Sequence, residues 1–265
     1  MSDHGLFVAG IIHALAPKAK LYLIEVLNPY GVGTLTSIAK GFERAANGIG
    51  TQSKRVVNAS LGLEVPQPTP EWLAHVQKHD PFWSNFDEER ITTLVSSLER
   101  ICMLFGHPDP DRPEQPDPYP YVGVVAAAGN DRKRGTPLPP ARFPAAHKSV
   151  LGVGALKHDN KTPAEYSNIA DTPKRDGIVT FGGDSQGDYT DRTYGVVGAY
   201  IGSFPDGSQN RDGLASWAGT SFATPRISGY IAALMSAGRT FAEAVAELRA
   251  VVHNPDTNEL GEIVR

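Results

Sequence analysis

Apolar positions along the chain switch between two periods, and the switching predicts the elements. Residues 4–16 (HGLFVAGIIHALA) are almost wholly apolar or small and read as a short buried helix. Lys20–Val26 (KLYLIEV) is a run of β-formers and reads as a strand. Leu35, Ile38, Ala39, Phe42, Ala45 and Ala46 recur at helical spacing, predicting an amphipathic helix over 34–47 that stops near Gly48. Arg55–Leu61 (RVVNASL) predicts a second strand, ended by Gly62. Ile91, Leu94, Val95, Leu98, Ile101, Cys102 and Phe105 form the cleanest helical stripe, with Ser84 and Asp87 as a capping box at its start. Tyr121–Ala127 and Ser149–Ala155 are continuous apolar runs, as in strands covered on both faces. Further strands are expected around 177–182 and 195–202, and helices over 221–237 and 240–252, the latter opened by Thr240 with Glu243. Strands alternating with helices predict an α/β layered fold with a mostly parallel sheet.

Composition narrows the class. The chain has 265 residues, 40% hydrophobic and 20% charged, as in an ordinary globular protein. Its net charge of −4 argues against nucleic acid as a partner, because a phosphate-backbone binder usually carries a basic stripe. No apolar run approaches the roughly 18 residues that suggest a membrane span. A single cysteine, Cys102, excludes an internal disulfide framework and a Cys-based zinc site. Region 64–120 holds ten of the 21 prolines, and its acidic tail, residues 107–121, reads as an extended surface loop inserted into one domain spanning 1–265. His75 and His79 are four apart, but HExxH is absent and no carboxylate completes a metal set, so they read as a surface pair. No metal or cofactor is expected. Residues 1–4 show no basic region or cleavage signal, so compartment and oligomeric state are not legible.

Three segments carry candidate chemistry. His4-Gly5 opens a helix, Ala126-Ala127-Ala128-Gly129-Asn130 ends a strand, and Gly219-Thr220-Ser221-Phe222-Ala223-Thr224-Pro225 starts a helix. Proline is tolerated in a first turn, so Pro225 predicts a helix beginning near Thr220 or Ser221. Ser221 then sits at the positive end of the helix dipole, beside unpaired backbone N–H groups. Alone, such a serine reads as a cap, and the same geometry suits a nucleophile whose own N–H holds an oxyanion. Alone, Asn130 reads as a turn residue or as an amide donor to that oxyanion, and His4 as a capping residue or a base.

Together, in this order, the three resemble the subtilisin-like serine peptidases, or subtilases. HGLFVAG is similar to the family's histidine block, VVNASLG (56–62) to its substrate-lining strand, and AAAGN (126–130) to its oxyanion block. FPA (143–145), VLGVGAL (150–156) and YSN (166–168) follow in the expected places, and GTSFATPRISG (219–229) resembles the serine block almost residue for residue. The resemblance implies a three-layer α/β/α fold and a serine endopeptidase acting on a polypeptide. It implies Ser221 as nucleophile, His4 as general base, and Asn130 with the Ser221 N–H as oxyanion hole. Ser60, Leu61 and Gly62 would pair with an extended substrate, and Ala126, Ala127, Ala128 and Gly129 would form the other wall of the first specificity pocket. Arg142, immediately before Phe143-Pro144, would lie near that pocket's floor and favour an acidic substrate residue.

Departures from the family pattern set further expectations. The family's triad aspartate sits roughly thirty residues before its histidine, whereas only three residues precede His4 here. Asp3 is too close in sequence to reach the far ring nitrogen, and Asp131 and Asp184 have no motif support. The expectation is a chain starting after the strand that carries the aspartate, which would leave sheet edges exposed. The alternative is a catalytically impaired or inactive peptide-binding domain that keeps the groove. The connection from His13 to Lys20 is short, so no calcium is expected there. Ser221 is not in a G-x-S-x-G context, which disfavours an α/β-hydrolase esterase.

Overall fold

The computed structural model describes residues 3–51, 53–63, 78, 88–105, 117–132, 139–170, 177–184, 189–190, 192–204, 206–250 and 262–263. The elements in chain order are α1 (His4–Leu15), α2 (Leu35–Ala46), β1 (Arg55–Ala59), α3 (Glu88–Met103), β2 (Val122–Ala127), β3 (Val150–Leu156), β4 (Ile178–Phe181), β5 (Val196–Ala199), β6 (Leu214–Trp217), α4 (Thr220–Ser236), α5 (Phe241–Ala250) and β7 (Glu262–Ile263). The His75/His79 pair, the Ser84–Asp87 box and most of the proline-rich insertion lie outside the described residues.

Among the described residues five strands form one parallel sheet in the order β1-β2-β3-β4-β7, and β5 and β6 form a separate antiparallel pair. Both apolar runs became strands buried along their whole length, β2 and β3. Successive side chains of a strand face opposite ways, and β2 uses both faces. Val122, Val124 and Ala126 pack with Ile38 and Phe42 of α2 and with Leu98 and Cys102 of α3. Val125 packs instead with Ile227, Ile231 and Met235 of α4 and Val245 and Leu248 of α5. Helices therefore cover both faces, giving the expected three layers. A third cluster joins Phe7 and Ile11 of α1 to Val196, Tyr200, Ala215 and Phe222, fastening α1 between the β5–β6 pair and α4.

Local chemistry sets several boundaries. The box opening α5 forms as expected: Thr240 N–H donates to Glu243 Oε2 at 2.8 Å, and Glu243 N–H to Thr240 Oγ1 at 3.1 Å. A second box, Thr34 with Ser37, opens α2.

One predicted strand is corrected. Lys20–Val26 has no regular structure and joins no ladder among the described residues. Tyr22 and Leu23 are 83% and 63% exposed, so β-forming composition there is not matched by a partner. The segment is held from one side, by Ser37 Oγ donating to the Val26 carbonyl at 2.7 Å. Two strands lacked a recognised sequence signal, the four-residue β6 and the two-residue β7. No helix among the described residues is long and apolar enough to cross a membrane.

Candidate active site

The site is built around the first turn of α4. Thr220 N–H, an orphan donor of the helix start, donates to Asn130 Oδ1 at 2.9 Å, and Thr220 Oγ–H reaches the same oxygen at 3.0 Å. Gly129 N–H in turn donates to Thr220 Oγ1 at 3.2 Å. A backbone N–H is only a donor, so the Asn130 carboxamide must face Thr220 with its oxygen, which leaves Nδ2 as the outward end. Phe222 and Ala223 N–H groups turn back to the Gly219 carbonyl, while Ser221 N–H has no partner among the described residues. Gly219 is itself fixed by its N–H to the Gly182 carbonyl at 2.9 Å, and that carbonyl also accepts the buried Tyr166 hydroxyl.

Pro225 explains the next contact. The helix begins at Thr220 as expected, but the proline falls in its second turn, not its first. Lacking an N–H, Pro225 leaves the Ser221 carbonyl without its helical donor. Ser60 Oγ–H fills that place at 2.8 Å, and Ser221 Oγ–H donates back to the Ser60 carbonyl at 3.3 Å. The end of β1 is tied on by the same chemistry: Asn58 Nδ2 donates to Ser60 Oγ, and Ser228 Oγ to Asn58 Oδ1, both at 2.9 Å.

His4 begins α1 and lies against α4 through rings, its imidazole 5.6 Å from Phe222. Phe222 is itself 4.7 Å from fully buried Phe7 and stacked on Trp217. Burial pushes the His4 pKa below its ordinary value, favouring the neutral ring that a base requires. Among the described residues no hydrogen bond joins His4 to Ser221, and no carboxylate bonds to His4. Asp3 is committed elsewhere, its Oδ2 accepting from Ile201 and Gly202 N–H groups at 2.8 Å each.

The remaining predicted site residues lie at the paired ends of β1 and β2 and in the chain just beyond them. Ala126, Ala127 and Ala128 are buried, Leu61 is half-buried and Gly62 exposed. Arg142 lies beside both Gly62 and Gly129, and its guanidinium forks onto the Asp131 carboxylate. Asn168 Nδ2 donates to the same carboxylate and Asp131 N–H donates to Asn168 Oδ1, both at 2.8 Å. Burial pulls the Asp131 carboxyl upward, but hydrogen bonds from Arg142 and Asn168 outweigh it and hold it below the usual value. Sequence reasoning gave no role to Asp131, Thr220 or Phe222. Asn168 appeared only as part of YSN, and its reach across 37 residues has no local signature. Among the described residues no group of three or more His, Cys, Asp or Glu is placed to hold a metal ion.

This is a three-layer α/β protein with a serine at a helix mouth and a carboxamide locked beside it. The Subtilase family profile matches residues 1–262, and the chain belongs to that family. It is 28% identical over 245 residues to the M-protease of Shouchella clausii (strain KSM-K16), covering 88% of this chain and 44% of that one. It is 27% identical over 239 residues to subtilisin Savinase of Lederbergia lenta, covering 86% and 61% respectively. The chain thus spans about half the length of these curated relatives. Its fold is similar to the crystal structure of a lanthipeptide protease, with a TM-score of 0.67 at 21% identity, over 99% of this chain and 73% of that one.

Proposed function

We propose that the chain is the peptidase unit of a subtilisin-type serine endopeptidase, which cleaves peptide bonds through an acyl-enzyme on Ser221. The observation that carries this reading is the first turn of α4, where Asn130 is fixed by Thr220 and two donors, Asn130 Nδ2 and Ser221 N–H, are left for an anion. Ser221 Oγ attacks the peptide carbonyl carbon as His4 takes its proton. The carbonyl oxygen becomes an oxyanion facing the two donors. His4 returns the proton to the leaving amine, then activates water to release the acyl group. Ser60, Leu61 and Gly62 would hold the substrate as an added strand, with Ala126, Ala127, Ala128 and Gly129 opposite.

A fluorophosphonate probe tests this directly. The folded chain should label, and Ser221→Ala should abolish labelling. A folded chain that stays unlabelled would overturn the reading.

A second reading is a catalytically impaired or inactive domain that still binds peptides. It is favoured by Asp3 being engaged at 201–202 and by the absence, among the described residues, of a carboxylate bonded to His4. Loss of the triad aspartate alone costs about 3 × 10⁴ in kcat, a magnitude measured on subtilisin itself.

A further inference from the structure

The peptidase reading places a substrate cleft leading away from Ser221, and the chain at Arg142 underlies it. Its two sides begin at residues that touch the first turn of α4, Ser60 on Ser221 and Asn130 on Thr220. The segment beneath is stitched to both sides: Arg142 N–H donates to the Ala128 carbonyl at 2.8 Å, and Leu63 N–H to the Phe143 carbonyl at 2.7 Å. The Arg142 side chain then passes between the two sides. A methyl on Gly62 would lie 3.1 Å from Arg142 Cδ and 3.3 Å from its Cβ. A methyl on Gly129 would lie 3.1 Å from Cγ and 3.2 Å from Cδ, and Gly129 also holds a φ of +114°, where L side chains are strained. The methylenes of Arg142 therefore occupy the space between two bare backbones. They are held there by the fork onto Asp131, which Asn168 grips from its other side.

We propose that Arg142, braced by Asp131, closes this pocket to all but small, uncharged side chains on the amino side of the cleaved bond. The inference rests on the peptidase reading of the cleft. An aromatic ring would have to displace the arginine stem and break its fork. A substrate carboxylate would have to compete with Asp131 for a guanidinium already engaged in a bidentate pair. Asp131 thus turns a residue whose charge suggested acidic substrates into a steric stop.

Binding of peptide acids that differ only in ending with Ala, Phe or Glu, read by fluorescence anisotropy on the Ser221→Ala chain, tests this without turnover. The Ala peptide should bind tightest, with Phe and Glu about tenfold weaker. Arg142→Gly should raise Phe binding by about tenfold and so erase most of the Ala/Phe difference. Asp131→Asn, which keeps the stem but releases the fork that braces it, should narrow the Ala/Phe gap and strengthen Glu. Phe binding as tightly as Ala, an Ala/Phe ratio unmoved by Arg142→Gly, or no binding of any peptide would overturn the proposal. Should Arg142→Gly not fold, unchanged Glu binding to Asp131→Asn overturns it alone. Ala-selective binding with no fluorophosphonate labelling of the wild-type chain would remove the peptidase reading and leave the pocket standing.

Discussion

The two flanks of the α4 first turn are held by different physics. On the Asn130 side the holding is done by hydrogen bonds: Thr220 takes the carboxamide oxygen, Gly129 feeds Thr220, and Ser60 supplies the donor that Pro225 removes. On the His4 side, ring contacts with Phe222, Phe7 and Trp217 take that place. Hydrogen bonds aim dipoles, which is what a site for a developing anion requires. An apolar wall positions a ring less sharply, but it desolvates it and so sets its charge state.

The comparison breaks most severely at Phe7, which is fully buried beneath the His4 flank. Phe7→Ala should cost about 3–5 kcal/mol of stability, read by urea unfolding. On the opposite flank, Asn130→Ala should leave stability less affected but lower kcat by about 10²–10³, a range measured on subtilisin, with KM little changed. Equal losses in kcat from a stability-matched surface variant would argue against a donor role. Ser60→Ala leaves the Ser221 carbonyl without a side-chain donor and should cost about 1–3 kcal/mol in unfolding experiments.

The smallest expected effect sharpens the contrast through pH. His4 should titrate below 6.5 in an NMR titration of its ring protons, and kcat/KM should rise with pH through that lowered midpoint as the base becomes neutral. Because the folded value is lowered, the unfolded chain binds the proton more readily. The contribution to stability is therefore complete above 6.5 and is lost as pH falls through the folded value. Phe222→Ala should admit water and move the His4 midpoint back toward 6.5, whereas Asn130→Ala should not.

Much of this was legible where sequence-local physics decides the outcome. Val122–Ala127 and Val150–Leu156 are apolar without interruption because helices cover both their faces, and the Thr240–Glu243 box closes within a single turn. Lys20–Val26 shows the limit, since a strand needs a partner and composition cannot supply one. The short β6, LASW, lacks the β-branched density that would mark it, and exists through pairing with β5. In the site, the serine block located α4 and Ser221. The convergence of Arg142 and Asn168 on Asp131 was hidden because three loops meet only in the fold. The counter-ion Asp131 lies 11 positions away in sequence, and no local pattern marks the pair.

The paired contacts between Ser60 and Ser221 run in opposite senses, each residue giving its hydroxyl proton to the other's main-chain oxygen. They make a two-pin latch between the sheet's edge and the helix tip. Sliding the strand by a single residue would withdraw both pins together, so the groove and the nucleophile stay in register or lose it as one unit.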